Sequence, residues 1–93
     1  MKDKNPFRVA VVENNAELAA KLIRAGHSAE VNDLIAAIKG KAHSVLKVLV
    51  AGGANLNGKD FWGYTPLTKA LALGDFVSAE ILVKAGASMD KAS

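Results

Sequence analysis

Apolar residues recur at intervals of three and four along most of the chain. Between Pro66 and Leu73 they fall at Leu67, Ala70 and Leu71, which is the spacing of one helical face. Thr65 suits an N-cap, and Pro66 suits the first helical turn, where its missing N–H costs nothing. Gly74-Asp75 reads as a turn, with Asp75 capping a second helix from Phe76 to Ala85. Gly86 is then placed to end that helix with a positive φ, as Gly26 and Gly53 are in the preceding segments. No run alternates apolar and polar residues with period two, so the pattern predicts an all-α chain.

The helix pair has predecessors. Moved back by 33 residues, Leu67, Ala70, Leu71, Leu82, Val83 and Gly86 fall on Leu34, Ala37, Ile38, Leu49, Val50 and Gly53. Moved back by a further 27, they fall on Phe7, Ala10, Val11, Leu22, Ile23 and Gly26. Three copies therefore share an apolar skeleton, and the first connection is six residues shorter than the second. Three aligned columns change polarity: Lys21/Val48/Ile81 is polar only in the first copy, and Val9/Ala36/Lys69 and Leu18/Val45/Ser78 only in the last. Charge on a face between repeats is expensive to bury, so these columns predict solvated ends and a self-contained, capped unit.

Thr65-Pro66-Leu67-Thr68-Lys69-Ala70, the 33-residue period and Leu82-Val83-Lys84-Ala85-Gly86-Ala87 resemble an ankyrin repeat. Asp60-Phe61-Trp62-Gly63-Tyr64 is similar to the turn that opens such a repeat, and Gly53-Ala54-Asn55-Leu56-Asn57 to its exit into a β-hairpin. The likeness runs from about Pro6 to Asp90 and is strongest in the third copy. There are departures. The family's motif histidine is replaced by Thr68, Ile35 and Arg8, and the second copy begins Asn32-Asp33-Leu34. The resemblance implies an ankyrin-like helix-turn-helix solenoid forming a single domain over 1–93, with repeats at about 5–32, 33–59 and 60–93. The segment 27–33 has no room for a hairpin, so one β-hairpin, or finger, is expected, at about 57–64 between the second and third repeats.

Length and composition narrow the function classes. The chain has 93 residues, no cysteine and a net charge of +3. Disulfides, thiolate metal sites and cysteine catalysis are thereby excluded, and the surplus of charge is too small to point to nucleic acid. No apolar run is long enough to span a bilayer, and the charged start Met1-Lys2-Asp3-Lys4 has no apolar stretch behind it. A cytoplasmic location with no membrane contact is the expectation.

The motifs that suggest chemistry do not survive inspection. Gly53 to Asp60 approaches a phosphate-binding loop, but Asp60 stands where a Ser or Thr must bind Mg²⁺, and a helix precedes it instead of a strand. His27 and His43 have no partner at metal-ligand spacing and read as solvated, and Ser28, Ser44 and Ser78 have no nucleophile context. Glu17/Lys21 and Glu80/Lys84 have the i, i+4 spacing of ordinary helix-supporting pairs. No catalytic residue, cofactor, metal or small-molecule substrate is indicated.

The aromatic residues point to binding. Of the five, Phe61, Trp62 and Tyr64 fall within four residues, on a turn expected to project into water, whereas Phe7 and Phe76 are expected in the core. The resemblance implies that a partner protein docks on the finger tip and on the concave surface of the inner helices. Those helix ends are Val12-Glu13, Lys39-Gly40 and Ala72-Leu73. Tryptophan and tyrosine are enriched in binding hot spots, which favours a protein-interaction module, a small adaptor or inhibitor. A homodimer through the same aromatic patch is the second reading. Weak nucleic-acid binding along Lys2, Lys4, Arg8, Lys39, Lys41 and Lys59 is the third.

Overall fold

The computed structural model describes residues 6–87. Its helices come in three pairs: α1 (Pro6–Glu13) with α2 (Ala16–Arg24), α3 (Val31–Lys39) with α4 (His43–Ala51), and α5 (Pro66–Leu73) with α6 (Phe76–Lys84). Helices α1, α3 and α5 pack side by side in one row, and α2, α4 and α6 form a second row behind it. The third pair has the limits that the capping residues predict. Thr65 Oγ1 accepts from the Thr68 amide, Thr68 Oγ1 accepts from the Thr65 amide in return, and Ala85 is the C-cap of α6. The second pair starts differently, with Glu30 as N-cap of α3 and the Asp33 carboxylate accepting from the Glu30 amide at 2.8 Å. Lys2, Lys4 and Asp90 lie outside the described residues.

The shared apolar skeleton becomes a single core. Phe7, Leu34 and Leu67 occupy one column and are all buried, and Ala10, Ala37 and Ala70 occupy another in which no residue has exposed surface. Alanine at that column is the small residue that a close-packed interior accommodates there without a void or a clash. Leu46, Leu49 and Leu82 continue the same cluster behind it. What buries a residue here is the next pair. Ile38 is 1% exposed beneath α5, whereas Leu71, its equivalent in the last pair, is 42% exposed.

The turns inside the pairs repeat as well. Asn14, Lys41 and Gly74 hold equivalent positions with φ of 49°, 57° and 73°. The residue after each donates its amide to Ala10, Ala37 or Ala70. The left-handed region is unfavourable for a residue with a Cβ, tolerable for asparagine and free for glycine. Lys41 therefore carries a strain that Gly74 avoids. The glycines after the second helices, Gly26, Gly53 and Gly86, have φ of 103°, 91° and 106°, as their position predicts.

Several expectations are corrected. Ser78 is fully buried, not part of a solvated end: its hydroxyl donates to Asp75 Oδ2 at 2.8 Å and its amide to Asp75 Oδ1 at 3.2 Å. His43 is not a freely solvated residue, because its Nε2 lies 3.1 Å from both Asp75 oxygens, reaching from the second pair to the third. Sequence spacing could not show this, since the two residues are 32 positions apart. Phe76 is 69% exposed instead of buried, because no further pair stacks on that side of α6 among the described residues. Lys69 is half-buried, with Nζ 4.6 Å from the centre of the Tyr64 ring.

The expected β-hairpin is also absent: no strand forms among the described residues, and 54–65 is a loop closed by turns. A two-stranded hairpin is marginal on its own, and the short first connection supplies no neighbouring finger to extend it.

Asp75 is, with Asp33, one of two buried carboxylates among the described residues, and the one that joins two helix pairs. Burial pushes its carboxyl upward. The Ser78 hydroxyl, the His43 ring and the Ser78 amide, with the charge of His43, more than offset this and hold it below the ordinary carboxylate range. A carboxyl lowered on folding contributes stability fully above its unfolded pKa, and loses it as pH falls through the folded value. The urea midpoint is therefore expected to drop as pH falls below about 4, and to drop less in Asp75→Asn. Asp75→Ala removes the cap of α6 and orphans the Ser78 hydroxyl, for an expected loss of about 2–4 kcal/mol in urea unfolding. Lys41→Gly relieves the left-handed strain and is expected to raise stability by about 0.5–1 kcal/mol in the same measurement.

Candidate functional site

The loop between α4 and α5 is organised by short polar side chains. Asn55 Oδ1 accepts from the Asn57 amide at 2.9 Å, turning the chain as it leaves α4. Gly58 then passes close to α3, where a Cβ would meet Val31 Cβ at 3.3 Å. Asp60 closes the tip. Its Oδ1 accepts from the Trp62 and Tyr64 amides, both at 2.9 Å, its own amide donates to the Tyr64 carbonyl at 2.9 Å, and its carbonyl accepts from Gly63 at 3.0 Å. This carboxylate does the work that a strand ladder would do in a hairpin.

The closed tip holds two aromatic rings in water. Phe61 is 90% exposed and Trp62 75%, and the rings meet edge to face with centroids 5.3 Å apart. Such a pair gains from ring quadrupoles beyond its buried area, so each ring helps to fix the other. Tyr64 is only just exposed, its ring facing Lys69.

Beside the finger a groove of about 160 Å³ runs along the front row of helices. Trp62 and Asp60 form the finger wall. Arg8 from α1, with Asn32, Ile35, Ala36 and Lys39 from α3 and Lys69 from α5, lines the rest. Arg8 Nε is buried there with no hydrogen-bond partner.

Of the residues singled out from the sequence, Trp62 and Lys39 meet in this groove. Phe61 stands at the tip outside it, and Tyr64, Gly40, Ala72, Leu73, Val12 and Glu13 are all exposed but do not line it. Ile35 and Lys69 escaped the sequence reading as site residues, and Arg8 entered it only in the basic stripe of the nucleic-acid reading. A signal for Ile35 existed: with Arg8 it occupies the column where the family's histidine is missing.

A second hollow of about 180 Å³ lies between Pro6, Phe7 and the first connection, with His27 edge-on to Phe7 at 6.4 Å. Among the described residues no group of three or more His, Asp or Glu side chains is placed to hold a metal ion. No helix among them is long and apolar enough to cross a membrane.

Paired helices in two rows, with a turn-closed loop standing beside the front row, define a helix-turn-helix repeat protein. The family described as Ankyrin repeats (3 copies) matches residues 7–93, and the chain belongs to that family. No curated protein matches the chain. Ankyrin repeats are generally protein–protein interaction modules.

The finger depends on Asp60 in a way the core does not. Asp60→Ala is expected to speed hydrogen exchange at the Trp62 and Tyr64 amides by about tenfold or more, each losing a bond to a charged acceptor. Global stability is expected to change by less than about 1 kcal/mol, since the bonds are at the surface.

Proposed function

We propose that this chain is a non-enzymatic module, cytoplasmic and acting as one unit over 1–93, that docks on a partner protein through its finger and the adjoining helix ends. The observation that carries the reading is the Phe61–Trp62 pair, held almost fully in water by a tip that Asp60 closes. Large exposed aromatics cost a soluble surface, and they supply contact area at little entropic cost when a partner covers them. Trp62 and Phe61 are the anchors of the docking surface, and Tyr64 buttresses the finger against Lys69. Lys39-Gly40, Val12-Glu13 and Ala72-Leu73 flank it with exposed positions on the front helices. A module of this size acts as an adaptor, or as an inhibitor by covering a surface of a larger protein.

The reading is tested by affinity capture from a lysate of the source cell with wild type and Trp62→Ala/Tyr64→Ala. Loss of a captured partner in the double variant is the expected outcome, and equal capture by both overturns the role of the finger. Light scattering separates the second reading: a stable dimer that Trp62→Ala dissociates means that the partner is another copy of this chain.

A further inference from the structure

We propose that the groove between Trp62 and the front row of helices takes an acidic segment of a partner protein, a short run carrying two or three Asp or Glu side chains. The proposal rests on the docking reading above and adds the chemistry of what docks. Each helix pair supplies one cation to the groove: Arg8 from the first, Lys39 from the second and Lys69 from the third. None of the three is in an ion pair with a described residue; the ion pairs found are His43–Asp75 and Lys84–Glu80. The one carboxylate on the groove wall, Asp60, has Oδ1 committed to the Trp62 and Tyr64 amides.

Arg8 makes the charge specific. Its Nε is buried and has no acceptor, so the free groove holds a donor whose desolvation is uncompensated. A carboxylate entering from the groove meets a planar guanidinium, the geometry that binds it bidentately. Lys69 is already restrained by the Tyr64 ring, so less of its freedom is lost when it pairs. Ile35 and Trp62 put apolar surface between the cations, which suits a segment that mixes acidic with apolar residues.

Nucleic acid fits less well. Asp60 stands in the wall against a continuous line of phosphates, and a net charge of +3 supplies little long-range attraction.

The test is selection from a displayed library of short random peptides, with wild type, Arg8→Gln/Lys39→Gln/Lys69→Gln and a control. The control, Lys21→Gln/Lys47→Gln/Lys84→Gln, lowers the net charge equally at exposed positions of α2, α4 and α6. Wild type and control are expected to enrich peptides rich in Asp and Glu, and the groove variant is not. The best peptide, made synthetically, is expected to change the emission of Trp62, the chain's one tryptophan. It is expected to bind the groove variant about tenfold or more weakly, through loss of charge-assisted bonds. Enriched peptides without acidic residues, or equal binding to the groove variant, overturn the acidic specificity and leave the docking reading standing. No enrichment at all also overturns the proposal, while the lysate capture separately decides whether the finger docks. An oligo-dT strand that changes Trp62 emission at lower concentration than the best peptide replaces it with nucleic acid.

Discussion

None of the three helix pairs can bury its apolar face by itself, and everything else in this protein follows from how the pairs meet. On the front helices Ala10, Ala37 and Ala70 have no exposed surface at all. Phe7, Leu34 and Leu67 in the neighbouring column are buried in the same core. Burial then depends on having a neighbour. Val50, beneath the third pair, is half-buried, while its equivalent Val83 is exposed. Stability in such an array is a sum over the pairs and the contacts between neighbours, so it is unevenly shared along the chain.

At the junction of the second and third pairs a polar cluster is set into this apolar stack. Asp75 caps α6, accepts from Ser78 twice and faces His43 of the preceding pair. The cap is local, but the histidine contact is not. It ties the beginnings of the two back-row helices to each other, in a place where the second pair has only Ala42 as an N-cap without a side-chain bond. A buried carboxylate is tolerable only because all of these donors converge on it. The same convergence holds the Asp75 carboxyl below its ordinary range, against the upward push of burial.

The finger and the groove are consequences of the same junction. A first connection too short for a finger leaves the loop after α4 without a neighbour, so it closes on Asp60 and not on a strand. Its aromatic tip then stands beside the front row with one face over the groove. The groove itself needs all three pairs, because its cations come one from each. Ankyrin repeats are generally protein-interaction modules, and here Trp62 shares one groove with Arg8, Lys39 and Lys69.

Much of the fold was legible because it is local and repeated. The capping of α5 by Thr65 and Pro66 and the three positive-φ glycines depend on residues a few positions apart, and the period of 33 residues repeats the same local pattern. Exposure of Trp62 and Phe61 followed from their place on a turn, and Lys39 from the end of its helix. What the residues alone could not convey was which distant positions meet. His43 looked solvated until the third pair brought Asp75 to it, and Ser78 looked like a polar end until that carboxylate enclosed it. Phe76 has a core residue's chemistry and lies in water, since burial belongs to the neighbour and not to the side chain. Sequence by itself determined the helix pairs, their number and the caps of the third pair, because those obey spacing. Only the tertiary structure decided where Arg8, Lys39, Lys69 and Trp62 come together, because that depends on stacking three copies whose connections differ in length.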